Sequence, residues 1–468
     1  MADAKIKDMT VGNPMKLILD FTIPIFFGMV FQQFYSIVDT MIVGKVLGVD
    51  ALAAVGATGS LTFMIIGLCN GIASGFAIPV AQRFGAKDEN GLKNAIANGI
   101  YLGIAVSVII TVIVTALCFS ILRIMNTPDN IINESHKYLF IIFMGLPVTF
   151  FYNYFSGVMR SLGDSKTPLY FLLAASALNI VLDIICIIVW GMGVEGAAYA
   201  TIFSQFIAAI GSGIYMWKKY PILHMTKEER KADWRCMGLL LYMGLPMGLQ
   251  YSITAIGAVF LQTAVNGLGS MYVAAMTSGV RIVCFFFTMF DALGSTMTTY
   301  GGQNVGARKL ERVKKGLGCA CLIGSIYAIF AFAILYLSGP ALALLFVDAS
   351  ETELIANIAK YLVLESMFYI PLALVDCFRY LIQGMGYSVL AVFAGGIEML
   401  ARIVATYTIV PLLGFTGVCL ASPIAWIMAD LYLIPAFFCV YKSLQRKFEA
   451  ENGNAVLADD SGFWFFVF

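Results

Sequence analysis

The sequence predicts an all-α polytopic membrane protein: twelve transmembrane helices in two six-helix bundles, related by a parallel pseudo-two-fold axis along the membrane normal. Three observations predict it. Hydrophobic residues make up 60% of the 468 residues and charged residues only 12%, with a mean hydropathy of +0.86. A soluble chain of this length needs far more charge to cover its surface. Twelve apolar runs are each long enough to cross a bilayer, which takes about 20 residues. Finally, a short phrase closing the second run returns in the second half, A-Q-R-F-G-A-K at 81–87 and G-Q-N-V-G-A-R at 302–308. Gln82, Gly85, Ala86 and Lys87 thus correspond to Gln303, Gly306, Ala307 and Arg308, a shift of 303 − 82 = 221. A duplicated unit with an even number of spans returns the chain to its starting side, so both copies share one orientation.

The first half reads as spans at 15–42, 52–81, 94–122, 134–159, 168–190 and 195–217. The second reads as 236–264, 271–301, 313–338, 354–383, 388–412 and 415–441. Each opening span contains a proline, Pro24 and Pro246, which removes a backbone hydrogen bond and permits a kink. Pro24, on the helix that also carries Asp39, reads as a conformational hinge, with a static bend for packing as the plain alternative. Each fourth span ends in a related phrase, M-R-S-L-G-D-S at 159–165 and I-Q-G-M-G-Y-S at 382–388. The charged stretch 218–235 joins the halves. The domain reading is therefore an N-terminal bundle over 1–217, a cytoplasmic linker over 218–235, a C-terminal bundle over 236–441 and a cytoplasmic tail over 442–468. The aromatic end S-G-F-W-F-F-V-F, 461–468, stays outside the fold reading.

Charge sets the orientation. Twenty-two lysines and arginines fall on the side of the two chain ends and only four, Lys45, Arg123, Lys137 and Lys360, on the other. By the positive-inside rule both ends are cytoplasmic, in a multi-pass plasma-membrane protein. No cleavable signal peptide is read before the first span. The ten cysteines are scattered, and Cys319 and Cys321 are too close together to read as a metal or redox pair. The sequence shows no nucleophile–base pair, no H-E-x-x-H, no metal-spaced His/Cys cluster and no P-loop, so an enzyme is not expected.

Ionisable residues inside the spans need a reason, since each costs roughly 2.5–3.5 kcal/mol at the bilayer centre. The acids are Asp20, Asp39, Asp183, Asp291, Glu365, Asp376, Glu398 and Asp430; the bases are Arg281, Arg379 and Arg402. Both histidines, His136 and His224, fall in or beside loops, so coupling chemistry would run through carboxylates. Asn179 and Asp183 are four apart and share a helix face, able to ligate a hard cation through oxygen or to hold a proton. Asp39 is an acid with no base nearby before Lys45; helix–helix hydrogen bonding is the plain alternative for both acids. Glu398 and Arg402, also four apart, read as an intrahelical ion pair. Asp20, Asp430 and Arg379 read as helix-end groups that reach the interface. Asp291, Glu365 and Asp376 are cavity candidates in the second half, with Arg281 able to neutralise one of them.

Together these motifs resemble the multidrug and toxic compound extrusion (MATE) family of secondary transporters, over essentially the whole chain. The resemblance rests on the duplicated Q-x-x-G-A-[K/R], on M-R-S-L-G-D-S-K-T-P at 159–168, on Q-G-M-G-Y-S at 383–388 and on V-E-G-A-A-Y-A-T at 194–201. Within the family the chain resembles the prokaryotic DNA-damage-inducible F (DinF)-like branch. That resemblance implies a cation- or proton-coupling network of Asp39, Asn179, Asp183 and Thr201, with Tyr35 and Tyr138 as neighbours, and a possible Na⁺ on the first four. The acidic positions of the sodium-coupled branch fall near Thr254 and Leu372, neither of them acidic. The family further implies a V-shaped pair of bundles acting as a monomer, exporting amphipathic, mostly cationic organic compounds in exchange for H⁺ or Na⁺. No other cofactor and no nucleic-acid partner is expected. The 23 methionines and 36 phenylalanines suit a cavity that accepts many shapes. The competing reading is a flippase for a lipid-linked precursor, which needs a cationic cavity. Under the repeat shift, Asp39, Asn179 and Asp183 fall on Leu261, Arg402 and Thr406, which places the acidic network in the first half only.

Overall fold

The computed structural model describes residues 7–125, 127–226 and 229–453; the aromatic end at 461–468, Lys5 and Lys227 lie outside the described residues. Lipid offers backbone groups no hydrogen-bond partners, so the apolar runs satisfy them internally as helices. Among the described residues no strand forms. In the first half these are α1 (Pro14–Leu47), α2 (Val49–Ala57), α3 (Gly59–Gly85), α4 (Glu89–Ile124), α5 (Ile132–Met144), α6 (Leu146–Ser161), α7 (Lys166–Asp183) and α8 (Gly193–Lys219). The second half contains α9 (Trp234–Leu268), α10 (Ser270–Gly306), α11 (Leu310–Ala343), α12 (Thr352–Ser366), α13 (Tyr369–Gly384), α14 (Ser388–Thr408), α15 (Val410–Leu413) and α16 (Phe415–Gly453). Helix α16 thus runs twelve residues beyond the expected end of the last span at 441.

The fourth span of each half departs from the expectation of one straight helix. α5 and α6 form one broken span, bent by 45°, and α12 and α13 another, bent by 48°. Each break precedes a proline, Pro147 and Pro371, placed in the first turn of the following helix. Proline has no N–H and crowds the carbonyl four residues back, so the helix cannot run straight through it. The two prolines are themselves a repeat pair, 371 − 147 = 224, so the bend belongs to the duplicated unit.

The duplicated loop motifs also have a local purpose. Lys87 and Arg308 both adopt a left-handed backbone, φ 58° and 59°, and turn the chain sharply after α3 and α10. In the M-R-S-L-G-D-S phrase, Asp164 accepts hydrogen bonds from the amides of Lys166 and Thr167, both at 3.0 Å, and so caps α7. Tyr220, beyond α8, donates to the other Asp164 oxygen at 2.6 Å. Burial, with the Asp164 carboxylate beside it, pushes the Tyr220 phenol up, which keeps it a donor.

The halves meet along two seams, α3 against α9 and α1 against α10. Small residues at Gly67, Gly71 and Gly75 let α3 approach α9 backbone to backbone. A Cβ on Gly71 would lie 2.6 Å from Gly248 Cα, and one on Gly75 2.4 Å from Gly244 Cα. At the other end of these helices the packing is gone. A Cβ on Gly48, Gly56, Gly59, Gly267 or Gly269 would meet nothing within 4 Å. The bundles therefore close at the end carrying the duplicated motif and diverge at the opposite end.

The linker docks on the first half. Asn98 of α4, fully buried, accepts from the Asp233 amide at 2.8 Å, Tyr101 donates to the Arg230 carbonyl at 3.1 Å, and Lys93 pairs with Glu229 at 3.0 Å.

Candidate functional site

Helix α7 ends in an irregularity at the residue of interest. After Asp183 the helix continues as a π turn, Ile184–Val189, whose wider winding shifts side chains out of α-helical register. Asp183 is completely buried, and Asn179 one turn earlier is nearly so. Helix α1 packs against α7 and brings Asp39 to this point, where the Asp39 and Asp183 carboxyls lie in electrostatic reach of each other without a hydrogen bond between them. Asn179 Nδ2 donates to Thr201 Oγ1 of α8 at 3.4 Å. Tyr35, one turn before Asp39, and Tyr138 of α5 stand in the electrostatic neighbourhood of both acids. All six residues named from the sequence thus gather on α1, α5, α7 and α8.

Four oxygens here are buried without a hydrogen-bond partner: Asp39 Oδ1, Asn179 Oδ1 and both carboxylate oxygens of Asp183. An unsatisfied buried acceptor costs about 1–3 kcal/mol, and more when charged. Two facing carboxylates also repel unless a proton or a cation stands between them. The donors are all oxygen, two carboxyls, an amide and a hydroxyl, which suits a hard cation or a shared proton. Among the described residues there is no group of three or more His, Cys, Asp or Glu suited to a metal ion.

The second half holds acids as well, in a different arrangement. Glu398 accepts from Arg379 at 2.6 Å and from Arg402 at 3.1 Å, with all three side chains buried. The Glu398–Arg402 pair agrees with the sequence reading. Arg379 and Asp430 do not: both are buried in mid-helix, not reaching the interface, because the fold offers Arg379 a carboxylate partner and packs Asp430 beside the same cluster. Asp376 lies in electrostatic reach of Asp291, Arg379, Glu398 and Asp430. The second half therefore has an acidic cluster of its own, at positions unrelated by the repeat to Asp39 and Asp183. Glu365 is buried beside Tyr361, with its Oε2 unpartnered. Arg281 is exposed and forms no ion pair with Asp291, Glu365 or Asp376, so it does not neutralise them. A groove of about 620 Å³ at the open end, lined by Asn266, Ser270, Thr277, Ser278 and Phe346, includes none of the predicted residues. Asp20 pairs with Lys7 at 2.9 Å near the start of α1, in partly exposed surroundings, as a helix-end acid should.

The MatE family profile matches this chain twice, over residues 24–185 and again over 246–408. The chain belongs to the MatE family of membrane transporters. The two matches begin 246 − 24 = 222 residues apart, the same spacing as the internal repeat. Among curated proteins, the probable multidrug resistance protein YpnP of Bacillus subtilis is 30% identical over 78% of this chain and 81% of its own. The probable multidrug resistance protein YoeA of the same organism is 28% identical over 91% of this chain and 94% of its own. A solved outward-facing structure of a multidrug resistance MATE family transporter superposes with a TM-score of 0.88 at 24% identity, covering 95% of this chain and 99% of the other. It shares the fold of twelve helices in two bundles.

Proposed function

We propose that this protein is a secondary active multidrug efflux antiporter of the plasma membrane, working as a monomer with both chain ends in the cytoplasm. It exports amphipathic, mostly cationic organic compounds in exchange for H⁺ or Na⁺. The moving parts are the bundles over 1–217 and 236–441, with 218–235 and 442–468 on the cytoplasmic side. The names of the relatives support drug export. The observation that carries ion coupling is the convergence of four unpartnered oxygens from Asp39, Asn179 and Asp183.

The cycle follows from that geometry. A proton or Na⁺ entering from the open side bridges Asp39 and Asp183, with Asn179 and Thr201 beside them. Bridging draws the far half of α1 toward α7. Pro24, with its missing backbone hydrogen bond, lets that half bend while the near half stays packed on α10. The bend reshapes the space between the bundles and expels the substrate. Asp291 and the aromatic faces of Tyr251 and Tyr380, in one neighbourhood near the seam, suit a desolvated organic cation. A lipid-linked pyrophosphate is disfavoured, since Arg379 and Arg402 are both engaged by Glu398.

The test is resistance in a pump-deficient host. Asp39→Asn and Asp183→Asn each lower resistance to ethidium by about tenfold or more at equal expression, the scale expected when a transporter loses an intramembrane ionisable group. Undiminished resistance in both would sink the assignment.

A further inference from the structure

The closed end of the molecule is held by a reciprocal clasp built from the duplicated motif. Gln82, near the end of α3, donates across to the Gly384 carbonyl at the end of α13, at 3.0 Å. Gln303, near the end of α10, donates across to the Ser161 carbonyl at the end of α6, at 2.8 Å. The partners are repeat equivalents, as are the glutamines. The glycines of the motif seat the clasp: a Cβ on Gly85 would lie 1.9 Å from the Gln303 carbonyl oxygen, and one on Gly306 1.9 Å from that of Gln82.

The symmetry fails at one point. Gly163 and Gly386 are equivalent turn glycines, both at positive φ, 87° and 101°. A Cβ on Gly386 would meet the Gln82 amide at 3.1 Å, whereas one on Gly163 would meet the backbone carbonyl of Lys7 at 2.0 Å. Residues 7–12 thus run as a strap over the Gln303 half of the clasp, whereas no strap covers the half-buried Gln82, whose turn meets only the Met243 side chain of α9. The strap is fixed to the second bundle. The Met9 amide donates to Gln303 Oε1 at 2.8 Å, so that glutamine is held on both sides. Lys309 donates to the Thr10 carbonyl at 3.0 Å, and Arg312 to the carbonyls of Gly12 at 2.9 Å and Met9 at 3.2 Å. Met9 and Thr10 are buried. The stretch of linker that precedes α9 in the second half docks on α4 instead, away from the clasp.

We propose that residues 7–12 are a one-sided latch on this closed end, and that Lys309 and Arg312, by holding the strap over Gln303, set the fraction of molecules closed there. The inference rests on the rocking of two bundles and not on which compound or ion is carried. Opening this end must break both glutamine contacts, and on the Gln303 side the strap must also leave Gly163 or release the second bundle. Six hydrogen bonds between the strap and groups of α10, α11 and the turn that joins them would otherwise have to follow the first bundle.

Hydrogen–deuterium exchange of the full chain in lipid nanodiscs tests this without any transport readout. The Lys309→Ala/Arg312→Ala variant is expected to raise exchange by tenfold or more in the strap and also over 159–166, which the mutated side chains do not touch. Exchange in the facing ends of α2–α3 and α9–α10 should fall together with it, as that end closes. Arg312→Lys keeps a cation for the strap carbonyls and is expected to restore the native pattern. Faster exchange confined to the strap, with 159–166 unchanged, would overturn the proposal, since the strap would then fray without gating anything. If the double variant fails to fold, Thr10→Pro in the strap carries the same expectation and the same contrary result.

Discussion

Glu398 holds two guanidinium groups inside the second bundle, Arg379 at 2.6 Å and Arg402 at 3.1 Å. Removing the shared carboxylate leaves both buried guanidinium groups without their hydrogen-bonded counter-charge, whereas replacing all three by apolar groups removes the triad's own desolvation cost. Glu398→Gln is therefore expected to destabilise the protein by about 3–5 kcal/mol, the range for breaking a buried pair. The triple replacement Arg379→Met/Glu398→Met/Arg402→Leu should melt close to wild type. Thermal unfolding in detergent compares them; a Glu398→Gln midpoint equal to wild type would contradict the triad's structural role. Asp183 is the opposite case. Its two oxygens have no protein partner, so Asp183→Asn removes a burden from the fold and should raise or preserve the melting temperature while transport is lost. A residue whose removal helps stability and harms function is what a coupling site requires.

At the scale of elements, the α3/α9 seam is set by contact between backbones. Gly75→Val would drive a branched side chain into Gly244, whose Cα lies 2.4 Å from where the new Cβ would sit, and there is no flexible neighbour to yield. The expected outcome is loss of transport and a melting temperature lower by several degrees, as overpacking costs about 1–3 kcal/mol. Gly318→Ala on α11, where a Cβ meets nothing within 4 Å, is the matched control and should change neither. The linker is a second element with a readable chemistry. Hydrogen bonding by the Thr226 amide, then Lys93, holds the Glu229 carboxyl below its ordinary value near 4.5. A carboxylate lowered in the folded state contributes above its ordinary range, and that contribution fades as pH falls through the lowered value. Tryptic cleavage at Arg230 and Lys231 should accordingly be faster in Glu229→Gln than in wild type at neutral pH. Equal cleavage would mean that the Asn98 contacts alone dock the linker.

How legible each part was depends on whether it was local. The twelve spans follow from hydropathy, and the repeat shift aligned Pro24 with Pro246 and the two loop motifs. The bends before Pro147 and Pro371 were equally open to the same comparison, because each proline sits at the repeat spacing within a fourth span. Asp39, Asn179 and Asp183 were readable because acids in apolar runs stand out. What stayed hidden was partnership between distant segments. Arg379 reads from its own stretch of sequence as a helix-end group, while the carboxylate it donates to lies 19 residues away on α14. The π turn after Asp183 lies in a plain apolar run, I-I-C-I-I-V, and has no sequence sign of its own.

For the whole molecule, the two bundles share a scaffold, close on each other at the motif end and part at the other. The first brings two carboxyls, Asp39 and Asp183, together with an amide and a hydroxyl. In the function proposed for it, a cation entering this pair drives the rocking of the bundles. Ethidium efflux from proteoliposomes, under a pH gradient alone and then a sodium gradient alone, tests it most directly. One of the two gradients is expected to drive efflux by the wild-type protein, and Asp183→Asn to abolish that dependence while still binding ethidium. Gradient-driven efflux that persists unchanged in Asp183→Asn would contradict it.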